Sequence, residues 1–250
     1  MPQVATDALV LHVFDYLETS RILRLATREH GVQSVLARGA RKSSTRYGAA
    51  LDLFAEGVAQ IELRPGRDLQ TLTGFEVARV RPGLAAELPR FTAAAAISEC
   101  VQRLVHDDHA PAAFEITQRA LDDLAEAPAD TVITIAVGAL WRLVAELGFA
   151  PELDACATCH DPLPSERPAP FSHAAGGVLC ARCSTRALGA RQLPASARAA
   201  LVAWLGGGLA PLSEHEGRAH QRLLREFLGE HLTDARGLKA WAVWEGGRWG

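Results

Sequence analysis

Four cysteines in two pairs, Cys156-Ala157-Thr158-Cys159 and Cys180-Ala181-Arg182-Cys183, are the residues whose type and spacing point most directly to chemistry. Each pair offers two thiolates to one tetrahedral ion, and the twenty residues between the pairs can fold back to close the site. The reading is a single structural zinc ion held by Cys156, Cys159, Cys180 and Cys183. A fully thiolate set leaves no open position for water, so such an ion braces a fold and hydrolyses nothing. Redox pairing within each CxxC is the alternative, and His160 or His173, inside the cysteine span, is a substitute ligand. Cys100 lies far from both pairs in an alanine-rich stretch without a basic neighbour, which reads as a small buried thiol rather than a nucleophile.

The sulfurs need a scaffold. Gly176-Gly177-Val178-Leu179 reads as a tight turn and a short extended segment leading into the second pair, and residues 151–154 lead irregularly into the first. Helices are expected on either side. Residues 91–105 and a stretch opened by Pro111 carry apolar side chains at helical spacing. In residues 131–147 they recur strongly enough for the central helix of a bundle, with Gly148 placed to stop it. Residues 196–204 and 219–231 follow. Trp241 and Trp244 either cover the last helix or belong to a free tail with Trp249.

The first eighty residues have a different texture. Residues 8–16, 21–27, 32–37, 51–54, 58–63 and 69–77 read as five or six short strands, with turns at His30-Gly31 and Pro65-Gly66 and no helix long enough for a βαβ unit. That pattern predicts a small closed antiparallel barrel, of oligonucleotide-binding or SH3-like type. The fold class is therefore α+β: an N-terminal barrel domain over residues 1–80, then a helical domain over 81–250 with the zinc module embedded at about 151–188.

With 250 residues, of which 48% are hydrophobic, the chain has enough apolar surface for real cores. No uninterrupted apolar run reaches the roughly 20 residues that span a bilayer, and the thiolate cluster suits a reducing, cytoplasmic compartment. Net charge is −3, but its distribution is uneven. Between residues 21 and 46, Arg21, Arg24, Arg28, Arg38, Arg41, Lys42 and Arg46 face Glu29 alone; between 107 and 154, ten carboxylates face only Arg119 and Arg142. One end can meet phosphate and the middle repels it. Candidate phosphate contacts are Arg28, Arg38, Arg41, Lys42 and Arg46, with Arg21 or Arg24 extending the track. Phe14, Tyr16 and Tyr47 are candidate stacking groups; Tyr47, beside the basic loop, is expected at the surface and Phe14 in the core.

Nothing in the sequence assembles a catalytic constellation. There is no phosphate-binding loop, no dinucleotide glycine fingerprint and no HExxH motif. His106 and His109 beside Asp107 and Asp108 read as a solvated helix end, and Asp122-Asp123 as surface carboxylates. The candidate classes are a nucleic-acid-binding mediator, a zinc-braced interaction scaffold that leaves DNA alone, and, more weakly, an enzyme with a site built from distant residues.

Several ordered stretches resemble the RecO family of bacterial recombination mediators. They are residues 16–20 (YLETS), 27–31 (TREHG), 37–42 (ARGARK), 51–54 (LDLF), the helical region with its cysteine pairs, and residues 231–239 (HLTDARGLK). The resemblance implies an N-terminal oligonucleotide-binding barrel, a helical domain and an embedded zinc module. It also implies binding of single- and double-stranded DNA, annealing of complementary strands, and cooperation with RecR in loading RecA onto strands coated by single-stranded DNA-binding protein, whose acidic C-terminal tail the helical part would receive. Such a tail needs an apolar pocket with a nearby cation, and Arg119 and Arg142 are available. Residues 41–46 are less densely basic than is usual in the family, and residues 206–208 and the tryptophan-rich tail fall outside the shared pattern. A nucleoid-associated, cytoplasmic protein without catalysis and without membrane attachment is the expectation.

Overall fold

The computed structural model describes residues 3–41, 47, 51–105, 110–232 and 237–246. They form two compact units, Met1–Glu126 with Lys239–Trp244, and Ala127–Leu238 with Glu245–Gly250.

Five strands begin the first unit: β1 (Gln3–Tyr16), β2 (Ser20–Thr27), β3 (Gly31–Ala37), β4 (Glu56–Glu62) and β5 (Leu69–Arg79). They close into a barrel in the order β1-β2-β3-β5-β4, with β1 antiparallel to both β2 and β4, and β3 parallel to β5. This closure decides between the two barrel types in favour of the oligonucleotide-binding one. Alternate residues fill the interior: Ala8 and Val10, Leu23 and Leu25, Val35 and Ala37, Ala59 and Ile61, then Leu72 and Phe75. The alternation breaks in β5, where Leu72 and Phe75 are three apart beside a register shift at Gln60/Ile61, and again in β1. Between Val10 and His12 the register of β1 shifts against β2, leaving Leu11 as the extra residue of a bulge, and Val13 rather than His12 next packs against the interior.

The expected strand at residues 51–54 is a turn. Its apolar side chains Leu51 and Phe54 are buried, but Phe54 has φ 66°, its N–H donates to the Val10 carbonyl at 2.8 Å, and the Val10 N–H donates to Ala55 at 2.9 Å. The run is apolar because it packs against the barrel, not because it extends.

Three helices follow in this unit, α1 (Pro82–Ala86), α2 (Leu88–Leu104) and α3 (Ala110–Glu126), each with proline in its first turn. Buried Arg81 ties barrel to helix. Its guanidinium pairs with Glu56 and with Asp122 of α3 (Nε to Oδ1, 2.7 Å) and donates to the Phe54 carbonyl at 3.0 Å. Cys100 is fully buried in α2, and burial pushes its thiol pKa up.

The second unit is centred on α4 (Val132–Val144), which continues as a wider turn over Ala145–Phe149 and stops at Gly148, φ 87°. Among the described residues Val132–Phe149 is the one stretch long and apolar enough to cross a bilayer, and 61% of it is buried within the protein. Against it pack α6 (Ala195–Leu205) and α7 (Glu214–His231). Gly138 permits the close approach of α6, since a Cβ there would lie 2.7 Å from the Trp204 ring. Helix α7 starts earlier than the apolar spacing predicts because Ser213 and Glu216 form a capping box. Helix α8 (Lys239–Gly246), which up to Trp244 belongs to the first unit, buries Trp241 and Trp244, so neither is in a free tail; Trp249 lies outside the described residues. The Glu99 carboxylate of α2 accepts from the N–H groups of Lys239, Ala240 and Trp241 at 2.8, 2.7 and 3.2 Å, supplying the cap that the start of α8 needs.

Candidate functional site

The four paired cysteines converge. Their Sγ atoms all lie within 4.8 Å of one another, and Cys159 and Cys180 are 3.7 Å apart. A tetrahedral ion with metal–sulfur bonds of about 2.3 Å requires sulfur separations of roughly 3.8 Å. Two similar knuckles present the sulfurs. In the first, the Cys156 N–H donates to the Asp161 carbonyl and the His160 N–H to the Cys156 carbonyl, both at 2.8 Å, the chain reversing at His160 with φ 61°. In the second, Cys180 caps the short helix α5 (Ala181–Ser184), its sulfur accepting from the Cys183 N–H at 3.4 Å.

A three-stranded sheet of β6 (Ala169–Ser172), β7 (Gly177–Val178) and β8 (Arg191–Leu193), in the order β7-β6-β8, supports the knuckles. Glu152 brackets the turn before the second pair, with its N–H donating to Gly176 and its carbonyl accepting from Val178, both at 2.9 Å. A Cβ at Gly177 would stand 2.3 Å from the Glu152 carbonyl oxygen, so only glycine fits. From α6, the buried Arg198 guanidinium donates to the carbonyls of Leu163 and Pro164 at 2.9 and 2.6 Å, fixing the loop that joins the two halves.

The donor chemistry suits a cation. Burial opposes ionisation of Cys156, but N–H groups of Cys180, Cys159 and Thr158 outweigh it and bring the thiol down to about 6. Cys183 moves up to about 12, chiefly through Cys180. Sulfurs this close cannot all be thiolates unless a positive ion sits among them. His173 pairs instead with Glu226, Nε2 to Oε2 at 3.1 Å, and among the described residues the four cysteines are the metal-capable group.

The basic residues of the barrel separate into two sets. Arg28 is committed to protein: it donates to Asp7 and Glu115 at 3.0 and 2.9 Å and lies 4.7 Å from the Phe114 ring centre. The acidic helix α3 takes this cation out of the expected phosphate track, a contact between segments 87 residues apart that local charge counting does not reveal. Arg21 pairs with Asp15 and Asp52, while Arg41 lies 3.7 Å from Asp15 and donates to the Leu17 carbonyl. Arg38 is exposed and lines a cleft of about 380 Å³ with Arg64 and Arg67. The last two escaped the sequence reading, although they flank the Pro65-Gly66 turn that joins β4 to β5. Lys42 and Arg46 lie outside the described residues, as do His106 and His109.

The aromatic assignments are reversed. Tyr47 is 2% exposed and its hydroxyl donates to the Leu72 carbonyl at 2.7 Å, so it is a core residue with a satisfied polar end. Phe14 and Tyr16 are 47% and 41% exposed, because the bulge at Leu11 turns both outward.

In the second unit a cavity of about 350 Å³ is lined by Phe171, Leu193, Pro194 and Leu212, with Arg191 and Arg222 facing Glu216 and Glu226 on its wall. Arg119 instead lines a cleft of the first unit with Glu115, Asp122 and Asp123, and Arg142 lies on α4.

A closed oligonucleotide-binding barrel followed by a helical unit with a four-sulfur cluster defines the structural class. Family models described as Recombination protein O N terminal and Recombination protein O C terminal match residues 1–81 and 85–241. The DNA repair protein RecO of Anaeromyxobacter sp. (strain K) is 36% identical over 241 residues, covering 93% of this chain and 92% of the relative. That of Syntrophotalea carbinolica is 36% identical over 186 residues, covering 74% and 71%. The chain belongs to the RecO family. Membership makes it a non-catalytic participant in DNA recombination and repair.

Proposed function

We propose that this chain is a recombination mediator that binds single- and double-stranded DNA, anneals complementary strands, and with RecR helps load RecA onto strands coated by single-stranded DNA-binding protein. Residues 1–80 are the DNA-binding domain, and 81–250 the helical domain with a zinc module at about 151–188. The module holds one structural zinc ion through Cys156, Cys159, Cys180 and Cys183. The protein acts in the cytoplasm, at the nucleoid.

The observation that carries this reading is an exposed arginine group on an oligonucleotide-binding barrel within a RecO-family chain. Arg38 and Arg41, with Lys42 and Arg46 of the same segment, meet phosphates; Arg28, neutralised by two carboxylates, adds little. Annealing needs no bond-making group. It requires phosphate repulsion to be lowered while base edges stay accessible. The cavity between Phe171 and Leu212 combines apolar walls with two arginines, and since Arg191 already pairs with Glu226 at 3.3 Å, Arg222 is the cation assigned to the acidic, apolar-ended tail of single-stranded DNA-binding protein.

Replacing Arg38, Arg41 and Lys42 together by Ala tests the assignment. The salt slope of single-strand binding should fall by roughly two, equally for unrelated sequences. Annealing of labelled complementary oligonucleotides, fast with the wild type without ATP, should slow in parallel. Unchanged slope and annealing in a folded variant favour the zinc-braced interaction scaffold.

A further inference from the structure

We infer that the end of the second unit's cavity where α6 begins is a carboxylate subsite. The N–H groups of Ser196 and Ala197 and the imidazole of His220 receive the carboxylate of an apolar-ended acid there, and His220 takes up a proton as the ligand enters. The inference rests on the tail-pocket reading for its ligand, and adds what holds the last group of the tail and how pH governs it.

Two independent features meet in this cavity. The first turn of α6 is open: Pro194 stands at its N-cap and no side chain caps it. Among the described residues the Arg198 N–H, donating to Pro194 at 3.0 Å, is the first on this helix with a partner. The N–H groups before it form the positive end of the helix dipole, a natural seat for an anion, and Ser196 and Ala197 line the cavity. The second feature is His220 of α7. It is 3% exposed and lines the same cavity, yet among the described residues neither of its ring nitrogens has a hydrogen-bond partner. Its ring meets that of Trp204 edge to face, with centres 4.8 Å apart, which holds it in place. A buried imidazole without a partner is destabilising, and a ligand oxygen relieves it.

The surrounding charges select a single negative charge. Glu226 is matched by Arg191 and His173, at 3.3 and 3.1 Å, and Glu216 accepts from the N–H and hydroxyl of Ser213 at 2.9 and 2.6 Å. His215 is exposed beside Glu216 in the first turn of α7. Arg198 of α6 is turned to the Leu163 and Pro164 carbonyls, and α4, which packs against both helices, brings no carboxylate or histidine. Arg222 remains for the outer carboxylates of the tail. A dianionic phosphate would crowd Glu216 and Glu226, whereas a monoanionic carboxylate can place its apolar group beside Phe171, Leu193 and Leu212. In the free protein burial, opposed by Glu216, keeps His220 neutral by lowering its pKa to about 4. A carboxylate beside the ring favours the imidazolium, so ligand and proton enter together.

The test titrates zinc-loaded, full-length protein with three probes: an acidic peptide ending in phenylalanine, the same peptide with a C-terminal amide, and phenylpropionate. The free-acid peptide should bind at least about tenfold tighter than the amide. Its affinity should rise about tenfold from about pH 7.5 to about pH 5.5, the change expected if the ligand returns His220 to its ordinary value of 6.5. His220→Gln should abolish that rise while binding near pH 7.5 persists, because glutamine still donates; His215→Gln should leave the rise intact. Ala197→Glu puts an acid in the first turn, where it suits the helix, and should reduce the free-acid peptide to the level of the amide. A wild type that binds both peptides alike, a His220→Gln variant that keeps the pH dependence, or an Ala197→Glu variant that still discriminates overturns the subsite and leaves the tail pocket standing. Phenylpropionate bound with this pH dependence by a protein that ignores both peptides keeps the subsite and removes the tail as its ligand. Binding of none of the three overturns both readings.

Discussion

The barrel and the cysteine module solve the same problem with different means. The barrel closes its own hydrogen-bond ladder and fills its interior with Leu23, Leu25, Val35, Ile61 and Leu72, all nearly or fully inaccessible to solvent. Around the knuckles the strands are two to four residues long, and the fully buried apolar groups are few, among them Phe171, Val178 and Leu179. Such short strands cannot repay the entropy of ordering them; four sulfurs around the proposed ion would. The difference teaches where each region is free to vary. The barrel can devote one outer face to binding because its stability lies inside. The module has its determinants at four atoms and their bracing loops.

Three perturbations test that contrast. Removing the metal with a chelator, or replacing Cys159 by Ser, should have the largest effect, since structural zinc contributes on the order of 10 kcal/mol in small modules. Metal content should fall, and hydrogen exchange should lose protection over residues 151–193 while the β1–β5 amides stay protected. Equal loss in the barrel would break the contrast. Leu25→Ala removes a fully buried interior side chain and should cost about 3–5 kcal/mol in chemical denaturation of the barrel, without changing metal content.

The third, smaller effect depends on pH. His220 is buried in α7, and burial, opposed by Glu216, lowers its pKa from 6.5 to about 4. The unfolded chain therefore takes up a proton near pH 6.5 that the folded chain refuses until about pH 4. Stability present above pH 6.5 falls as the pH drops through this window, by at most about 3 kcal/mol. A His220→Gln variant should flatten that part of the profile in pH-dependent unfolding of the second unit. An unchanged profile would assign the acid sensitivity to the thiolates instead.

Legibility followed the range of the interactions. The CxxC pairs declare themselves because a ligand pair is local, and β2, β3, β4 and β5 follow from alternation over a few residues. Residues 51–54 read as a strand and fold as a turn, since apolar content reports burial and not extension. The inversion at Phe14 has a single cause. With Ala8 and Val10 inside, unbroken alternation sends His12, Phe14 and Tyr16 inward as well, and one extra residue at Leu11 reverses all three. Only the unbroken Leu9-Val10-Leu11 run hinted at it. Tyr47 looked exposed because its neighbours are polar, yet its partner is the distant Leu72 carbonyl. Arg28 reads as a phosphate contact for the same reason, its two carboxylates being far away in sequence.

The cap that Glu99 supplies to α8 also sets an order in time. The first unit includes Lys239–Trp244, so the barrel and its three helices can be synthesised and folded while Glu99 still lacks the N–H groups it accepts from. At ~5–20 residues per second the ribosome needs roughly 6–23 seconds to pass from residue 126 to residue 241. Throughout that interval the second unit is emerging between two parts of the first, and the chain's earliest module is among the last to be completed.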